Sequence, residues 1–176
     1  MRWVSILSGK RLLLPLYEKV AWKVGDKLFW RLFKKKGSAD NMNNKLEVIG
    51  IDHGWSMMKT VSQVFVTGVK EITTTPALYG DVLEYEGRFY KIGTARQEVK
   101  DTKVLDDSFY LLTLAAVAKE LRIRGKSDAS VVLSVGLPAS RYGSEKQAFI
   151  DYLSKNEEVT FIFEQKQYHI KIVKVA

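Results

Sequence analysis

The segment from Asp107 to Arg124 limits the fold more than any other. Asp107 is placed to cap a helix and Gly125 to end it. Between them Leu111, Leu112, Leu114, Ala115, Ala116 and Ala118 leave little polar surface before Lys119. A helix that is apolar nearly all round must be buried on most sides, so it should lie against a sheet. The rest of the chain has to supply that sheet.

Strand signals flank this helix. Leu46 to Ile51 is a short apolar run ending at Asp52, and Val61 to Val66 resumes extended character after a loop at Gly54. Thr67-Gly68 turns into Val69 to Ile72, and Val82 to Tyr85 pairs with Arg88 to Ile92 across Glu86-Gly87. Beyond the helix, Val131 to Val135 reads as a buried strand running into Gly136-Leu137-Pro138. Ser144 with Gln147 makes a capping-box start for a second helix, whose apolar face carries Phe149, Tyr152 and Leu153. Val159 to Phe163 and Tyr168 to Val175 close the chain as two further strands. This succession predicts an α/β domain with a mixed sheet and flanking helices, with a small insertion around Ile72 to Leu105.

A length of 176 residues suits one such domain plus a tail, and the charge shows where the tail is. Residues 1 to 36 hold ten Lys and Arg against Glu18 and Asp26, which accounts for the whole formal charge of +8 and leaves residues 37 to 176 neutral. The domain itself therefore gives no electrostatic hint of DNA binding. Residues 1 to 44 are expected to be a basic, aromatic extension and linker, and residues 45 to 176 the domain. Lys19 to Phe33 mixes aromatic and aliphatic residues with lysines, as basic membrane-surface segments do. No apolar run of the extension approaches the roughly 18 residues of a spanning helix, and Arg11 and Pro15 interrupt its best stretch. A misassigned start is preferred: Met42 directly precedes the first convincing strand, and Lys35-Lys36-Gly37-Ser38 can be encoded by a purine-rich stretch resembling a ribosome-binding site. With no cysteine, disulfides and thiolate chemistry are excluded, and the cytoplasm is the default compartment.

The segment that points to chemistry is Asp52-His53-Gly54-Trp55-Ser56-Met57-Met58-Lys59. A carboxylate at the end of a buried strand is costly unless it serves something, and Gly54 lets main-chain amides approach a ligand closely. Lys59 follows where the second strand begins. An acid for a hydrated cation, exposed amides and a lysine make a cradle for phosphate and magnesium, although a solvated turn would show the same residues. His53 is expected to be a solvated loop histidine and His169 a structural one on the last strand. Two histidines without acidic partners at ligand spacing make no metal site.

DxGxxxxK at Asp52, Gly54 and Lys59, between two strands, is similar to the first phosphate loop of the actin, sugar kinase and heat-shock chaperone superfamily. Three further segments narrow the resemblance. Asp106 to Leu121 resembles the long helix of the ParM/StbA-type actin-like ATPases of plasmid segregation, Val135 to Pro138 resembles their GLP segment, and Tyr85 to Gly93 resembles the hairpin before the helix. The resemblance covers essentially all of residues 45 to 176. It implies an actin-like, ribonuclease-H-like domain in which Asp52 holds the water shell of a magnesium ion. It further implies that Lys59 contacts the β and γ phosphates of ATP and that amides from Gly54 to Met57, through Trp55 and Ser56, line them. Trp55 and Ser56 stand where relatives often have small or polar residues, so the indole either crowds the phosphate or stacks on a neighbour.

The family resemblance also implies partners. Like subunits would assemble into a filament, and plasmid DNA would be reached only through an adaptor protein; from the N-terminal extension itself a membrane-surface role is the less favoured reading. The nucleotide would close between two domains, the second supplying another acidic phosphate loop and a glycine-rich adenosine loop that this sequence does not contain. The chain thus reads as the first domain of an ATPase, with the second supplied in cis or in trans. Half a cleft gives weak binding and little or no turnover. The alternative is a non-enzymatic, truncated actin-like protein that binds or modulates filaments.

Overall fold

The computed structural model describes residues 46–94, 96, 102–137 and 141–176, all within Met42–Ala176, the second of two units into which the chain divides. The basic extension and linker, Met42, Lys45 and Pro138 lie outside the described residues. In chain order the elements are β1 (Glu47–His53), β2 (Met57–Thr60), β3 (Val64–Val66), β4 (Val69–Ile72), β5 (Val82–Tyr85) and β6 (Arg88–Ile92). There follow α1 (Ser108–Ile123), β7 (Asp128–Gly136), α2 (Tyr142–Leu153), β8 (Glu158–Phe163) and β9 (Lys166–Val175).

The strands form one mixed sheet in the order β3-β2-β1-β7-β9-β8-β5-β6-β4. β1 is parallel to β7, and β7 to β9, while the remaining pairs are antiparallel. Sequence neighbours β3 and β4 lie at opposite edges of this sheet, yet only Thr67 and Gly68 separate them. Three residue steps span at most about 11 Å. The sheet must therefore curl until its edges approach, while Gly93 N donating to Gly68 O at 2.9 Å extends the β4–β6 ladder up to that corner.

The curl explains the apolar helix. α1 lies inside it, so that Lys119 sits over Phe65 of β3 at 5.5 Å and over Phe163 of β8 at 5.2 Å, two strands far apart in the sheet order. α2 closes the remaining side, with Phe149 edge-on to His53 and Tyr152 against Tyr110. Twelve of the sixteen residues of α1 are buried as a result, including both polar Thr113 and charged Glu120. Glu120 is satisfied rather than stranded: it accepts from Thr60 Oγ1, Ser62 N at 2.9 Å and Arg124 at 3.3 Å. Burial alone would raise this carboxyl, but those bonds outweigh it and hold its pKa below the usual value. Glu47, gripped by Lys126 and Arg124, is depressed for the same reason against the same opposing effect of burial.

Several expectations shift in detail. The extended stretch after Gly54 starts earlier, at Met57, and is broken by a turn in which Thr60 N donates to Gln63 O, so β2 and β3 are two strands. The β5–β6 hairpin is no separate insertion, because β5 pairs with β8 and joins the main sheet. α2 begins at Tyr142, leaving Ser144 inside the helix with its hydroxyl donating back to Arg141 O. Asp107 does occupy the N-cap position of α1, but its carboxylate takes Lys155 instead of a main-chain amide. Among the described residues no helix is long and apolar enough to cross a membrane.

Candidate functional site

β1 separates two environments by its alternation. Ile49, Ile51 and His53 point into the core beneath α1, whereas Asp52 is exposed on the opposite face. Asp52 stands directly across the ladder from Lys59 of β2, and residues opposite each other in an antiparallel pair share a face. Lys59 Nζ accordingly lies 3.5 Å from Asp52 Oδ2, with the side chains 55% and 61% exposed. On the other flank Asp52 is in register with Gly136 at the end of β7. With no side chain at Gly136, the carboxylate is open on that side.

Between the two charged residues the chain turns through Gly54, Trp55 and Ser56. A Cβ at Gly54 would sit 2.5 Å from Met57 O, a main-chain atom, so only glycine fits this turn. Two carbonyls of the loop are tied to Thr67: Gly54 O accepts its hydroxyl at 2.7 Å and Ser56 O accepts its amide at 3.0 Å. Ser56 is exposed and Met57 half-buried in β2. Asp52, Gly54, Ser56, Met57 and Lys59 thus form one contiguous turn with its acid and lysine side by side.

The indole of Trp55 goes elsewhere. It packs edge-on to Phe109 at 5.2 Å, which resolves the choice between crowding the open face and stacking on a neighbour in favour of stacking. His53 is a correction. Expected as a solvated loop residue, it is the last buried residue of β1, only 1% exposed, with Nε2 at 2.9 Å from Thr113 Oγ1. That hydroxyl donates in turn to Phe109 O, and the histidine's Nδ1 meets no hydrogen-bond partner among the described residues. Burial first, and the nearby charge of Lys103 second, push its pKa down to about 3. The alternation Ile49-Ile51-His53 was the signal that could have found this. His169 lies on the exposed face of β9 beside Thr160.

Sequence reasoning missed Lys103 altogether. It is 4% exposed and donates to the carbonyl of His53, with its ammonium facing the rings of Trp55, Phe109 and Phe149 at 5.8, 5.4 and 6.0 Å. No local pattern marks it, since it reaches the loop from about 50 residues further along the chain. Among the described residues no cluster of three or more His, Cys, Asp or Glu could hold a metal ion. A cation at this loop would therefore rest on the one carboxylate of Asp52, on water and on the ligand's own oxygens. That donor set suits magnesium, which keeps most of its waters and is commonly held by one or two carboxylates plus phosphate.

The sequence model of the family described as "Actin like proteins N terminal domain" matches residues 50–176. Among solved structures, an Alp12 filament matches with 20% identity and a TM-score of 0.56, over 74% of this chain and 46% of that one. The apo psk41 ParM protein matches with 17% identity and a TM-score of 0.55, over 74% and 48%. Bacillus thuringiensis ParM with ATP matches with 19% identity and a TM-score of 0.53, over 73% and 43%. At these identities the likeness is one of fold, and the chain spans about half the length of the structures it matches. No curated protein matches by sequence.

Proposed function

Because this chain belongs to the family of actin-like protein N-terminal domains, we propose that it supplies the first phosphate loop of an ATP and magnesium site in a filament-forming protein of plasmid segregation. The observation that supports this reading most is the pairing of Asp52 with Lys59 across a turn that only glycine can make, on the face of the sheet opposite the core. In this reading Lys59 balances phosphate charge, Asp52 orients the water shell of magnesium, and the turn from Gly54 to Met57 offers main-chain donors. Magnesium, when bound, would neutralise the polyphosphate and orient it.

The loop is one wall of a site. Transition-state stabilisation of phosphoryl transfer needs preorganised groups around the γ-phosphate on more than one side. We therefore assign this chain weak nucleotide binding and little or no hydrolysis unless a second domain, in cis or in trans, completes the cleft. Solved relatives include filaments and structures with ATP, ADP or AMPPNP, and these motivate like-subunit association and nucleotide control here. Contact with DNA would run through an adaptor, in the cytoplasm. Calorimetric titration of the chain with MgATP tests the proposal: saturable binding that Asp52→Ala weakens at least tenfold is expected. No binding, or binding indifferent to Asp52→Ala, would favour a non-enzymatic filament modulator instead.

A further inference from the structure

An ammonium sealed beneath the loop is an uneconomical way to fill a core. Lys103 is 4% exposed, its acceptor among the described residues is one main-chain carbonyl, and its other neighbours are three aromatic rings. No carboxylate of the described residues makes an ion pair with it. Desolvation lowers its pKa, opposed by the charges of Asp52 and Glu145. A methionine would fill the same space without a charge to desolvate, so packing does not account for lysine at this position.

The carbonyl it holds suggests what does. The peptides here are trans and planar, so each N–H points opposite to the C=O of the same peptide unit. With His53 O turned into the ring box by Lys103, the amide of Gly54 is turned away from it. Gly54 O is held in turn by Thr67 Oγ1, which directs the Trp55 amide away from Thr67. Gly54 lacks the side chain that would resist rotation of either peptide, so an external anchor is what fixes the direction of its N–H. Asp52 and Lys59 occupy the face opposite the ring box.

We propose that Lys103 is a positioning residue of the phosphate loop: by holding the His53 carbonyl inward, it presents the Gly54 amide outward as a preset donor to a polyphosphate. The inference rests on the nucleotide reading above. It adds a residue from a distant segment whose task is to orient, without touching the ligand, and whose buried charge the fold carries at a cost in stability.

The test uses the full 176-residue chain labelled with 15N, titrated with magnesium tripolyphosphate and with MgATP. In the wild type the Gly54 amide signal shifts saturably with both. Lys103→Met melts at or above the wild-type temperature, binds both ligands at least tenfold more weakly, and loses the Gly54 response. Lys103→Arg, which retains a donor, restores most of the binding. A Lys103→Met variant that binds within twofold of wild type, while Lys59→Ala is impaired, would overturn the role of Lys103 and leave the nucleotide reading standing. A variant that melts lower and is not rescued by Lys103→Arg would make Lys103 a structural residue only. Absence of saturable binding in the wild type would remove both inferences together.

Discussion

The two faces of β1 do opposite things with the same seven residues. On one, Ile49, Ile51 and His53 sink under α1 and contribute to stability through burial. On the other, Asp52 remains half in water beside Lys59, where an ion pair stabilises a fold by only about 0–1 kcal/mol. A single alternating strand thus separates what holds the domain together from what it can offer a ligand. Substitutions on the two faces should separate in the same way.

The largest effect is expected deepest under β1. Leu112 is fully buried in α1, so Leu112→Ala should destabilise by about 2–5 kcal/mol in denaturant unfolding. A loss below about 1 kcal/mol would mean that the helix is not enclosed as described.

Next comes acid. His53 has a folded pKa of about 3 against an ordinary value of 6.5, so the unfolded chain binds the extra proton between those limits. Its contribution is complete above pH 6.5 and is lost as pH falls towards 3. Each unit inside that window costs up to about 1.4 kcal/mol, or about 2 kcal/mol between pH 7 and 5. Depressed Glu47 and Glu120 add losses of the same sign at lower pH. His53→Gln should flatten the slope between pH 7 and 5 in unfolding experiments; an unchanged slope would remove His53 as its source.

Gly54→Ala brings the contrast to the loop. The new methyl overlaps Met57 O, so the turn must shift, at about 1–2 kcal/mol in stability by the scale of strained backbone sites. Weaker MgATP binding in titration should accompany it, and full retention of affinity would argue against the loop. The smallest effect on stability belongs to Asp52→Ala, within about 0.5 kcal/mol by thermal or chemical unfolding, as for ordinary surface substitutions. A larger loss would mean that Asp52 serves the fold, and the division between the two faces would fail.

Local chemistry was readable in the sequence, and long-range closure was not. Glu86-Gly87 announced the β5–β6 hairpin to its residue limits, because two consecutive residues at positive φ, 51° and 72°, are what a tight hairpin turn requires. The all-apolar composition after Asp107 announced burial on most sides, and α1 runs within one residue of expectation. The reason for that burial, a sheet curled so that β3 and β4 approach, depends on pairings such as β5 with β8 that no window of sequence contains. The site divided along the same line. Asp52, Gly54 and Lys59 were legible as a spacing, but the burial of His53 needed the strand to extend two residues past Ile51. Lys103 needed the tertiary fold.

The thinnest ladder within that curled sheet joins β5 to β8. β5 meets β8 through Leu83 with Phe163 and Glu84 with Ile162, reinforced by Glu164 N on Val82 O and by Asp81 N on the Glu164 carboxylate, 83 residues away in sequence. The other ladders of the sheet are longer. When the domain breathes, this two-pair ladder should part like a zipper before the longer ones and let water reach the inner helix there, so amide exchange at Leu83 and Phe163 would time that opening.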